Sequence, residues 1–284
     1  MQNGGSAWTT EDSSREFAVF YTCFSVFFWS FYLSSNDFFT QFSFFKEKSK
    51  NDKEEFRALF TGLLHHIIIS VYGIYTFAIV CTDADVLPVN DSDWKFFRYI
   101  DSETCYRMPN QMYGNMIMIS TAYLTWDIIK HLVFMETWTR AYRENFYHHI
   151  VSFLGINGAL ICGFGGPSIA ALLLLTEISS IFLSARNLID RKYHSECWFQ
   201  PLILCFFVSF TVFRILLAPF SLKNTYDDTI MNWERRNGFL NVIMLITFGM
   251  GIVLTAMNIY WYYFIIRMVF KPFLKLEMTK EEKN

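Results

Sequence analysis

Long apolar runs separated by short polar stretches organise this chain from residue 16 to residue 270. A hydrocarbon core about 30 Å thick needs roughly 20 predominantly apolar residues per helix. Seven stretches meet that requirement, near 16–35, 57–81, 113–135, 146–164, 167–187, 199–220 and 239–270. They are apolar on all faces instead of alternating at period two, which predicts helices and not the strands of a transmembrane barrel. The expected fold is an all-α membrane protein with seven transmembrane helices. Its organisation reads as an N-terminal tail, first helix and basic loop over 1–55, a helical domain over 56–271 and a charged tail over 272–284.

Composition sharpens this picture. The 284 residues are 53% hydrophobic and 19% aromatic, too apolar for a soluble domain of this length. Phe is abundant, and the run "FSVFFWSFYL" is better explained as lipid-facing bulk than as an aromatic ligand box. The N-terminal "MQNGGSAWTTEDSSREF" has neither a basic signal-peptide region nor an Arg-rich, acid-poor presequence, so the first helix is expected to be retained. Nothing in the sequence supports nucleic-acid binding.

Charge is read loop by loop. Lys and Arg number five in 34–58, two in 136–145, three in 186–198 and five from Arg267 onward. The opposite side has one before the first helix, three in 82–112 and three in 221–238. The positive-inside rule then puts the N-terminus in the lumen and the C-terminus in the cytosol. The acidic loop 82–112 carries the sequon Asn90-Asp91-Ser92 and is bracketed by Cys81 and Cys105, which an oxidising lumen would allow to pair or leave as free thiols. These features favour the endoplasmic reticulum or secretory pathway, with the mitochondrial inner membrane as the alternative. Cys23, Cys162, Cys197 and Cys205 have no pairing or metal spacing and read as packing.

Ionisable groups at membrane depth are costly and point to a bundle interior or an aqueous cavity. His65 and His66 stand about two turns into the second stretch; Tyr123, Asp127, Lys130 and His131 can share one face of the third. His148 and His149 open the fourth. The fifth holds Thr176, Glu177, Ser179 and Ser180 at mid-depth, the sixth Arg214 with Pro219 behind it, and the seventh Asn258. Asp127 and Glu177 face Lys130 and Arg214 in charge, and pairing across helices is the structural explanation for the two cations. Glu177, where an isolated carboxylate would be costly, is the stronger candidate for proton transfer. Adjacent His side chains point about 100° apart, so at most one of each pair is expected to face a cavity, the other packing or reaching the headgroups. No metal is expected, because neither pair has the i, i+4 spacing that puts two ligands on one helix face. Gly155, Ala159 and Gly163, like Ser180 and Ser184, are spaced for close helix packing.

Taken in order, these motifs resemble the TLC-domain family, which includes ceramide synthases, ceroid-lipofuscinosis-type proteins and small TLC-domain proteins of lipid homeostasis. The stretches that carry the resemblance are "FRALFTGLLHHIIISVYGIY", "STAYLTWDII", "YHHIVSF", "LLLTEISSIFLSARNLI" and "VFRILLAPF" with "MNIYWYYFIIRMV". The resemblance implies a six-helix bundle around a lipid cavity plus an N-terminal helix outside it. Ceramide synthases follow the paired His with His-Asp and a second Asp three residues later. Thr176, Glu177 and Ser180 stand there instead, which disfavours ceramide synthesis and moves the resemblance toward the branch associated with lipid homeostasis, sensing or transport.

Three functions follow as expectations. In the first, the cavity binds a lipid or acyl chain, lined by His65, His66, Tyr123, Thr176, Ser180, Arg214 and Asn258, with membrane lipids as partners. In the second, an acyltransferase takes acyl-CoA or a phospholipid as donor. His148 or His149 is then base or nucleophile, oriented by Glu177 or Asp127, and no cofactor is bound. In the third, the chain is an accessory subunit of a larger membrane complex, with protein partners or an oligomer and a structural lipid.

Overall fold

Backbone in hydrocarbon has no water to bond, and a helix satisfies every N–H and C=O within its own segment. All regular structure among the described residues is accordingly helical. The structure is a computed structural model describing residues 11–80, 111–134, 139–162, 166–189, 196, 199–234 and 236–281. Asn90, Cys81, Cys105, Gly163 and Cys197 lie outside them.

The elements are α1 (Glu11–Phe39), α2 (Ser43–Lys46), α3 (Lys50–Val80), α4 (Gln111–Phe134), α5 (Arg140–Cys162), α6 (Gly166–Leu174) and α7 (Glu177–Leu188). They continue with α8 (Gln200–Phe210), a π-helical turn (Thr211–Leu216), α9 (Leu217–Met231) and α10 (Gly238–Glu281). Five stretches are long and apolar enough to cross a membrane: Arg15–Phe39, Lys50–Thr76, Ile169–Leu188, Gln200–Met231 and Gly238–Phe270. The sequence pattern predicts seven; α4 and α5 fall short of that measure because Asp127, Lys130 and His131 in the one, and Asn145, His148, His149 and Asn157 in the other, interrupt their apolar character.

Packing closes a ring. α3 contacts α4, α4 contacts α5, α5 contacts α10, α10 contacts the α8–π–α9 rod, and that rod meets the α6–α7 rod, which returns to α3. α4 is the most enclosed, with Tyr113, Met116, Ile117, Ile119, Ala122 and Trp126 essentially inaccessible. α1 lies outside the ring against α4 and α3. Its attachment is polar at one end: the Arg57 guanidinium donates to the Tyr32 carbonyl at 2.6 Å, pairs with Glu54 at 2.9 Å and stacks over the Tyr32 ring. Phe39 packs with Phe45, Phe56 and Phe60 around the α1–α2–α3 turn. Within the 24–33 run Phe28 is buried and Phe31 stacks on Phe60, while Phe27 faces outward, so the run is interhelix packing as well as outward-facing bulk.

Three local departures set up the site. α5 begins at Arg140, not at the apolar run, because the polar residues 140–145 continue the helix; His149 therefore stands about 13 Å from the start of the helix, well inside it and not at its mouth. The 167–187 run is not one helix. It breaks at Leu175–Thr176, where N–H groups bond carbonyls three residues back, Thr176 to Leu173 at 3.0 Å and Ile178 to Leu175 at 3.1 Å. The 199–220 run carries the π turn. Pro219 cannot donate to the Ile215 carbonyl, and the wider turn, in which Leu217 N–H reaches the Val212 carbonyl, absorbs that conflict. The C-terminal tail, expected only as a charged end, continues α10 as helix through Glu281.

Candidate functional site

The ring encloses a cavity of two compartments. The larger, about 460 Å³, lies at the end where α3 and α5 begin and α7 finishes, between Glu55, Tyr142, Glu144, Arg186 and Met268. That volume is in the range of small-molecule sites. The inner one, about 80 Å³, is walled mainly by Ile156, Ala159, Leu173, Leu174 and Met244. α6, where the α6–α7 rod leans inward against α4, α5 and α9, closes the far end. His66, Tyr123, His148, His149, Glu177 and Arg214 border both compartments and form a polar belt between them.

On α4, the Asp127 carboxylate organises one half of the belt. Oδ1 lies 2.9 Å from Lys130 Nζ, and Oδ2 lies 2.5 Å from His149 Nδ1 and 3.0 Å from His131 Nδ1. Lys130 is thus neutralised one turn along its own helix, not across helices as expected. Helical spacing dictates this, since positions i, i+3 and i+4 share a face. Asp127, Lys130 and His131 are only 2–4% exposed, so these contacts replace most of their hydration although the group borders the larger compartment.

On α7, Glu177 is not isolated. Its Oε2 lies 2.9 Å from His66 Nδ1, and its Oε1 approaches Arg214 Nη2 at 3.8 Å. The expectation of a lone carboxylate therefore gives way to one held between two bases on neighbouring elements. Arg214 donates through Nε to Ser179 Oγ at 2.8 Å, through Nη2 to Ser180 Oγ at 2.7 Å and through Nη1 to Asn258 Oδ1 at 3.3 Å. Ser180, expected both to line the cavity and to be spaced for helix packing, is a partner of this buried cation. The break before Glu177 and the π turn around Arg214 set the angles at which these two segments meet.

On α3, the His65 ring stacks on Tyr123 with centroids 3.9 Å apart, and its Nε2 faces Ser120 Oγ at 3.3 Å. Phe28 of α1 covers both rings from outside. His148 packs edge-on against Trp261, and its Nδ1 is buried without a hydrogen-bond partner. The expectation that at most one His of each pair faces the cavity is overturned: His65, His66, His148 and His149 all border it, because the cavity passes between helices and reaches two sides of α3 and of α5.

Every residue selected from the sequence lines this space: Thr176 and Asn258 on the inner compartment, Asp127 and Ser180 on the mouth, and the rest on one or both. Sequence reasoning left Ser179 and Trp261 out of the site. Trp261 is one turn beyond Asn258, an i, i+3 relation that could have found it. Among the described residues, no group of three or more His, Cys, Asp or Glu side chains is arranged to hold a metal ion.

The TLC-domain family model matches residues 55–267 of the chain. The chain belongs to the TLC-domain family. The matched segment runs from the mouth of α3 to the last turns of α10 that border the cavity, and together with the five apolar stretches it makes this TLC-domain protein an integral membrane protein. Compared with individual curated proteins, the chain has no match.

Proposed function

We propose that this TLC-domain protein binds a lipid or acyl chain in the cavity and acts in membrane lipid homeostasis, sensing or transport. The observation that carries this reading is the cavity itself: an apolar inner chamber, a polar belt and a mouth at one end of the ring. A lipid satisfies all three, with hydrocarbon inside and its head at the belt. The reading includes seven membrane crossings, with α4 and α5 turning Asp127, Lys130, His148 and His149 toward the enclosed space. The mouth is cytosolic, beside the basic loops, in a secretory-pathway membrane. Thr176, Glu177 and Ser180 support the branch of the family that does not make ceramide. Protein purified from its native membrane should carry acyl lipid by mass spectrometry, and Ser152→Trp, which fills the inner chamber, should lose it. A wild-type protein that carries no lipid, and whose deletion leaves membrane composition unchanged, overturns the proposal.

One observation favours acyl transfer as a second reading. His149 is tied at Nδ1 to Asp127 at 2.5 Å, the arrangement in which a carboxylate orients an imidazole acting through its other nitrogen. Nε2 would take the proton of an acceptor hydroxyl as its oxygen attacks a thioester carbonyl, then return that proton to the departing thiolate. His149→Ala should reduce transfer by about 10²-fold or more while lipid occupancy persists. Unchanged transfer in that variant removes the second reading.

A further inference from the structure

Arg214 lines both compartments of the cavity and keeps donor capacity beyond its internal partners. A guanidinium has five N–H groups. Ser179, Ser180 and Asn258 take three, leaving two on the terminal nitrogens. All three acceptors are neutral. The nearest carboxylate, Glu177, stands at 3.8 Å, beyond hydrogen-bond distance, while its second oxygen faces His66 at 2.9 Å. Asp127 offers nothing further, since Lys130, His131 and His149 already surround it. The cation is buried at 6% exposure, hydrogen-bonded to neutral groups, with Glu177 at ion-pair but not hydrogen-bond distance.

The rest of the belt agrees in sign. Both acids are in contact with basic groups, so the belt offers no free carboxylate to a cationic head. His148, which borders both compartments as Arg214 does, keeps a buried ring nitrogen without a partner. Beyond these groups the wall turns apolar at Ile156, Leu173 and Met244. Resting on the lipid-cavity reading, we infer that the ligand carries an anionic oxygen head, a carboxylate or a phosphate, seated on the unshared donors of Arg214 with its hydrocarbon entering the inner chamber. The planar fork engages either group through two parallel N–H donors.

The test uses the full-length protein in detergent and compares palmitate, lysophosphatidate and hexadecanol, which share a hydrocarbon chain and differ in the head. At least one of the anionic lipids should bind about tenfold or more tighter than hexadecanol. Arg214→Gln should bring the two classes close to equal while hexadecanol still binds, which reports an intact cavity. Preference for palmitate identifies a carboxylate head and preference for lysophosphatidate a phosphate head; either supports the inference. If wild-type protein binds hexadecanol as tightly as both anions, the anionic head is refuted and the lipid cavity stands. If none of the three binds, the lipid reading fails and this inference with it. The wild-type comparison decides the matter without any variant, should Arg214→Gln fail to fold.

Discussion

At the scale of single residues, the site depends on a few side chains that each answer several others. Asp127 is the clearest case: a single carboxylate meets Lys130, His131 and His149, all of them buried side chains. Removing one member of a buried pair leaves the other charge uncompensated, whereas replacing both by apolar groups of similar size is often close to neutral. Asp127→Leu is therefore expected to destabilise the protein by about 3–5 kcal/mol, and Asp127→Leu with Lys130→Met to recover most of that loss. Thermal unfolding in detergent measures both; a single variant as stable as wild type would show that the pair is not formed. That Asp127, Lys130 and His131 would share a face was legible from their spacing. That His149 of α5 would join them was not, because the relation between two helices is not written in the periodicity of either.

At the scale of elements, close backbone approach fixes how α5 meets α10. A Cβ on Gly158 would lie 2.2 Å from Thr247 Oγ1, a separation no packed structure sustains, while one on Gly155 would meet Met250 at an ordinary 3.5 Å. The sequence pattern identified a stripe of small residues on this helix through Gly155, Ala159 and Gly163. The contact that allows least space is one position away, at Gly158, since the rotation of α5 is set by its partners. Gly158→Ala should cost about 1–3 kcal/mol through overpacking. Combined with Thr247→Ala, which removes the obstructing oxygen, it should cost less than the sum of the two single changes by at least about 0.5 kcal/mol. Strict additivity in that double-mutant cycle would sink this account of the interface. The break before Glu177 and the π turn around Arg214 belong to the same scale: each is a local irregularity inside an apolar run, and each bears a residue of the belt.

At the scale of the whole molecule, the ring and the outer helix divide the work between enclosure and attachment. α1 adds little to the cavity beyond covering His65 and Tyr123 with Phe28, so its orientation is independent information about topology. The charge asymmetry of the loops predicts a lumenal N-terminus and a cytosolic C-terminus. A glycosylation acceptor appended to the N-terminus should be modified in cells, and one appended after Asn284 should not. The reverse pattern would invert the predicted topology and put the mouth of the cavity on the lumenal side.

By itself, the sequence determined the helical class, the apolar stretches, the family and the inventory of polar residues, because hydrophobic run length and motif spacing are local properties of the chain. It also determined which charges share one helix face, as with Asp127 and Lys130. Only the tertiary structure decided that Glu177 is enclosed by His66 and Arg214, that both members of each His pair border one cavity, and that Ser179 and Ser180 hold a cation. Those outcomes depend on how far one helix is rotated and bent against the next. Contacts over the full bundle, together with the break at Leu175–Thr176 and the conflict at Pro219, set that geometry; no single stretch encodes it.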